Sequence, residues 1–167
     1  MRLALLALLL LPSLSFAGAH KTFVVVRGVD ESVTNSDVYQ DDDHLIFGGI
    51  PGATYYFTMD LHFESASAVP DVKFKFIESV AGSTVNAHCS GQEAPSSATF
   101  AELHQFGQEI VLAISEGTEA ILKCSGILEV EVSAMDVFGV QWAQNTANAT
   151  PTIMHSDSHF TITRFTR

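Results

Sequence analysis

Apolar residues recur at every second position through much of this chain, the spacing of strands with one face in a core and one outside. The clearest case is Thr54 to Phe63, where Tyr55, Phe57, Met59, Leu61 and Phe63 share one face and Tyr56, Thr58, Asp60 and His62 the other. Val72, Phe74 and Phe76 then alternate with Lys73 and Lys75, so two strands are predicted to build one aromatic core face. Further on, a long strand is expected over 119–132, with Leu128, Val130 and Val132 inward and Glu129 and Glu131 outward. Phe138, Val140 and Trp142 face away from Gly139, Gln141 and Ala143 in the next strand, and a last one is expected over 159–165.

Elsewhere the pattern is weaker. Thr22 to Val26 reads as a short strand ending at Arg27-Gly28, Asp30 to His44 is polar, Leu45 to Phe47 is apolar again, and 48–52 is a turn by its Gly and Pro content. Small polar residues over 79–97 suggest loops with one short strand near 84–88. Between 100 and 115, Phe100, Leu103, Phe106, Ile110 and Ile114 fit a helical stripe, while Ile110, Leu112 and Ile114 also alternate; strand is favoured for 110–115. About eight strands joined by Gly, Pro and Ser turns predict an all-β fold, an antiparallel β-sandwich or jelly-roll-like domain over 20–167.

Residues 1–19 break this pattern: one arginine, nine apolar residues (Leu3 to Leu11), a Pro-Ser break and then small residues. That is the build of a secretory signal peptide, with cleavage expected after Ala17 or Ala19. The apolar run is too short for the ~20 residues a spanning helix needs, so no membrane insertion is expected once it is removed. The destination is secreted, periplasmic or extracellular, a virion surface included. Cys89 and Cys124 are then expected to form a disulfide, since the compartment is oxidising and neither sits in a short metal-binding spacing.

Composition narrows the partners. The 167 residues are 47% hydrophobic and 16% charged, which fits one packed domain. The net charge of -11 becomes -12 without Arg2, with 7 basic against 19 acidic residues. Nucleic acid and anionic lipid are excluded as partners on that balance, because both need clustered Lys and Arg. A neutral glycan or a protein receptor is the expectation.

The order of the segments carries a resemblance. Ser32 to Thr34, Asp42-Asp43 and Leu45 to Phe47 are followed by Pro51 to Phe57 (Pro-Gly-Ala-Thr-Tyr-Tyr-Phe) and Pro70 to Phe76 (Pro-Asp-Val-Lys-Phe-Lys-Phe). Val140 to Thr150, with its Gln-Trp-Ala-Gln-Asn-Thr, and Ser158 to Arg164 complete the series. This succession resembles the C-terminal β-sandwich domain of tailed-phage and prophage virion proteins such as tail fibres and minor tail proteins. The resemblance spans about Glu31 to Arg164. It implies a homotrimeric module on a particle surface that contacts a host glycan or protein and performs no chemistry.

The residues themselves offer little for catalysis. There is no Gly-x-Ser-x-Gly elbow, His-Glu-x-x-His helix, phosphate loop or dinucleotide fingerprint, so no enzyme activity and no cofactor are expected. Asp41-Asp42-Asp43 reads as a solvated acidic turn, because adjacent carboxylates on extended backbone point to opposite sides and make no calcium cage. One alternative is copper: cleavage after Ala19 would leave His20 as the terminus, its amine and imidazole joined by a second imidazole from His44, His62, His88, His104, His155 or His159. No other metal site is expected. A secreted carbohydrate-binding module is the other alternative. Tyr56 and His62, on the outward face of the strongest strand, are the candidate ligand or subunit contacts, while Trp142 is assigned to the core. His62, His155 and His159 are otherwise expected to be solvated. Asn148-Ala149-Thr150 is a glycosylation triplet followed by Pro151.

Overall fold

A computed structural model describes residues 20–93, 97–133 and 135–165, so the expected signal peptide over 1–19 lies outside the described residues. Thirteen strands occur among them: β1 (Lys21–Val26), β2 (Glu31–Val33), β3 (Gln40–Asp41), β4 (Phe47–Gly49), β5 (Thr54–Ser65), β6 (Val72–Glu78), β7 (Thr84–Glu93), β8 (Ser97–Leu103), β9 (Ile110–Leu112), β10 (Ala120–Glu129), β11 (Asp136–Gln144), β12 (Thr152–Met154) and β13 (His159–Arg164). No α-helix occurs among the described residues. The count exceeds the expected eight chiefly because β2, β3, β4 and β12 are too short for alternation to show.

All pairings between these strands are antiparallel and form two sheets. The larger runs β1-β13-β5-β10-β7-β8, with β12 joining β5 to β2; the smaller runs β3-β11-β6-β9, with β4 also on β11. The sheets pack face to face as a β-sandwich. Aromatic rings lock them together: Phe57 of the large sheet lies 5.5 Å from Phe76 and 5.3 Å from Phe138 of the small one, Phe160 lies 5.5 Å from Phe138, and Phe63 lies 5.6 Å from Trp142. Such tilted and edge-on contacts add ~0.5–1.5 kcal/mol each beyond area burial. The alternation read in β5 is the alternation observed, with Tyr55, Phe57, Met59, Leu61 and Phe63 all buried.

Three stretches differ from expectation: β10 stops at Glu129 short of the expected 132, so Val130 is buried but Val132, expected inward, lies past the strand end and is 76% exposed. β7 runs ten residues, past the 84–88 segment, with Val85, Ala87, Cys89 and Gly91 inward and Asn86, His88 and Ser90 outward. Small residues carry its core face, which leaves almost no hydrophobic contrast to read. The stretch after residue 97 is strand β8, paired to β7 throughout, and only Ile110–Leu112 of the expected 110–115 segment is strand.

The acidic turn is also different. Asp42 is buried against Arg27, whose guanidinium donates to Asp42 Oδ2, to Glu31 and, through Nε at 2.9 Å, to the Val29 carbonyl. Asp42 Oδ1 accepts the backbone N–H groups of His44 at 2.9 Å and Leu45 at 2.7 Å. Only Asp41 and Asp43 are exposed. One carboxylate of three turns inward because a buried charge is tolerated only when paired and hydrogen-bonded.

Candidate functional site

Antiparallel register places outward residues of adjacent strands side by side. On the outer face of the large sheet, Thr22, Thr163, Tyr56, Ile127 and Asn86 form one row across five strands. The next row is Val24, Thr161, Thr58, Ser125 and His88. Hydroxyls dominate this face, with Thr22 and Thr163 hydrogen-bonded at 3.0 Å and Lys123 paired to Asp60 at 2.9 Å. Against that background Tyr56 stands 42% exposed and Val24 and Val26 stand 61% and 57% exposed. On the β10 side of Tyr56, away from the valines, lies a shallow groove of about 670 Å³ bordered by Asn86, His88, His104, Ser125, Ile127 and Glu129.

His62 sits on the same strand but at the opposite end of the face, and it is not solvated as expected. Its side chain is only 16% exposed, and Nδ1 is hydrogen-bonded to Glu119 and lies 3.5 Å from Asp157 Oδ2. Its backbone is held on both sides: His62 N–H donates to the buried Ser158 hydroxyl at 3.0 Å, and His155 N–H donates to the His62 carbonyl at 2.9 Å. His155 bridges two further carboxylates, with Nε2 3.2 Å from Glu64 and Nδ1 3.6 Å from Asp30. A hydrogen bond from Ser156 N–H holds the Asp30 carboxyl below its ordinary range, with His155 contributing against desolvation. From sequence His62 and His155 stand out singly, whereas Glu119, Asp157 and Glu64 do not, because nothing in the spacing of residues from such distant segments links them.

Cys89 and Cys124 face each other across β7 and β10 and form a disulfide with a sequence separation of 35. Trp142 is fully buried in the core. His20 is exposed, edge-on to Phe165 at 6.4 Å. Asn148 is half-buried in a turn where its Oδ1 accepts Thr150 N–H at 2.8 Å. That turn is pinned by the fully buried Gln144, which accepts from the N–H groups of Ser36 and Asn148 and donates to the Thr150 carbonyl. The Gln-Trp-Ala-Gln-Asn segment therefore serves the architecture: its tryptophan fills the core and its second glutamine closes the following loop. Lys73 and Lys75 stack their ammonium groups over the Tyr39 ring at 4.9 and 4.1 Å, and burial with a 2.6 Å bond to Glu109 raises the Tyr39 phenol far above its usual value.

No known protein-family model matches the chain, and no curated protein matches it. Among solved structures, it is similar to chains in the structures of infectious bursal disease virus Gx strain (8% identity, TM-score 0.23) and Gt strain (7% identity, TM-score 0.24). The likeness covers 88% of this chain in both cases and 39% and 40% of the viral chains, so this chain spans about two fifths of their length. At these TM-scores the likeness carries no argument about fold or function.

Proposed function

We propose that this chain is an exported, non-enzymatic structural and binding protein, a homotrimeric attachment module that meets a cell-surface glycan or protein receptor at a virion or cell surface. The observation that carries this reading is the outer face of the large sheet. A tyrosine and two valines stand exposed on an otherwise polar, hydroxyl-rich surface, and β1, which bears the valines, is an edge strand. Exposed apolar residues on a sheet edge invite pairing with another chain, and an amphipathic ring beside polar groups suits a sugar or a protein surface. The disulfide fits an oxidising compartment, and the succession of segments resembling phage appendage domains fits the attachment role. Light scattering on the mature chain at micromolar concentration is expected to give a trimer that Val24→Asp with Val26→Asp dissociates. Glycan-array or cell binding is expected to be lost in Tyr56→Ala. A monodisperse wild-type monomer overturns the trimeric module.

The groove bordered by His88, His104 and Ser125 favours a second reading, a secreted carbohydrate-binding module acting as a monomer. Glycan binding by a chain that stays monomeric selects it over the first.

A further inference from the structure

We propose that His62, Glu119 and Asp157 form a binding site for a divalent transition-metal ion of the zinc class. The three residues come from β5, from the residue before β10 and from the turn before β13, and their ligand atoms all lie within 4.8 Å of one another. A tetrahedral ion with bonds of ~2.0–2.1 Å needs donor atoms ~3.3 Å apart. His62 Nδ1 and Asp157 Oδ2 already stand 3.5 Å apart, and Glu119 Oε1 is hydrogen-bonded to the same nitrogen. The imidazole is the fixed member, clamped through its backbone by Ser158 and His155, whereas Glu119 and Asp157 are 46% and 63% exposed and free to turn about an ion. Binding would exchange the His62–Glu119 hydrogen bond for two metal bonds without moving a strand.

The surrounding charge favours a dication. A pocket of about 410 Å³ opens beside the three residues and is walled by Asp30, Glu64, Glu119, Asp157 and His155. Among the described residues these four carboxylates pair with no lysine or arginine: the ion pairs of Lys123 and Arg27 go to Asp60, Asp42 and Glu31. Among the described residues, their ion-pair partners are the imidazoles of His62 and His155. A nitrogen donor with two carboxylates selects zinc-class ions over calcium or magnesium, which prefer all-oxygen cages. Three protein ligands leave a fourth position for water on the pocket side.

The site is independent of the proposed attachment role and is tested separately, by titrating ZnCl2 into the chelator-stripped mature chain with calorimetry and thermal melts. One zinc ion per chain with micromolar affinity is expected, together with a rise in Tm. Glu119→Gln and Asp157→Asn, both on exposed side chains, are each expected to weaken binding ~10-fold or more, and His62→Gln to abolish the Tm rise. His20→Ala is expected to bind as the wild type does, which separates this site from an N-terminal copper clamp. No heat and no Tm shift at ~100 µM zinc overturns the site, as does wild-type affinity in the Glu119 or Asp157 variants, or tighter binding of calcium than of zinc.

Discussion

Replacing Asp42 by alanine removes the acceptor for the buried Arg27 guanidinium and, at the same time, for the N–H groups of His44 and Leu45. Arg27 is 2% exposed and Asp42 0% exposed at the side chain, so water cannot take over those bonds. Arg27 Nη1 would be left facing Met154 Sδ at 3.2 Å, with Glu31 still on Nη2. Stranding one member of a buried pair costs ~3–5 kcal/mol, out of a total stability of ~5–15 kcal/mol for a domain. With an m-value of ~2 kcal/mol per M, a loss of ~4 kcal/mol lowers the urea midpoint by ~2 M. Trp142, the single tryptophan and fully buried, reports the transition by fluorescence. Arg27→Met combined with Asp42→Asn removes both charges and keeps an oxygen for His44 and Leu45, so the double variant should be more stable than Asp42→Ala. A midpoint drop below ~0.5 M in Asp42→Ala, or a double variant as unstable as the single one, refutes the argument that an uncompensated buried charge sets the cost.

Other outcomes follow from the same structure. Cys89→Ala with Cys124→Ala opens a loop closed over a separation of 35 residues; on the chain-entropy model it should lower stability by ~4 kcal/mol in urea melts, and reducing agent should do the same to the wild type. Gly126→Ala places a Cβ 2.3 Å from the Asn86 carbonyl oxygen and 2.7 Å from Ala87 Cα; because these are backbone atoms of the paired strand, a loss of ~1–3 kcal/mol is expected, and an unchanged Tm would contradict it. Burial, with Asp136 nearby, pushes the Glu78 carboxyl above its ordinary value near 4.5, and one of its oxygens is buried without a partner. Its raised value favours the fold at acid pH and loses that contribution as pH rises through it, so Glu78→Gln should raise Tm at neutral pH and lose its advantage toward pH 4.5. Burial also pushes Asp136 up, but bonds from the Ser83 hydroxyl, Val80 N–H and Ser79 outweigh it and hold the carboxyl below 3.8. Asp136→Asn should therefore cost stability at neutral pH and narrow the gap to wild type as pH falls below about 3.8.

The legible part of the fold was the part with strong side-chain contrast. β5, β6, β11 and β13 announce themselves because large apolar residues alternate with polar ones, and Phe57, Phe76, Phe138 and Phe160 meet in the core as that alternation requires. Only the first half of β7 was readable, because Ala87, Cys89 and Gly91 bury little apolar area each; its full length is set by pairing with β10, and β8 is placed by pairing with β7 in turn. Tyr56 was correctly placed on the outer face from period alone, whereas its neighbours Ile127, Asn86 and Thr163 depend on register.

By itself, then, the sequence determined the fold class, the core face of its strongest strands, the cysteines available to pair and the acidic balance. All of these follow from residue type and local period. Tertiary structure decided which of three consecutive aspartates is buried, since only the approach of Arg27 makes burial of Asp42 tolerable. It also decided that His62, Glu119 and Asp157 converge. Residues on strands distant in sequence become neighbours through register: pairing of Ala120 with Phe63, and the His155 N–H bond to the His62 carbonyl, bring three separate segments to one point.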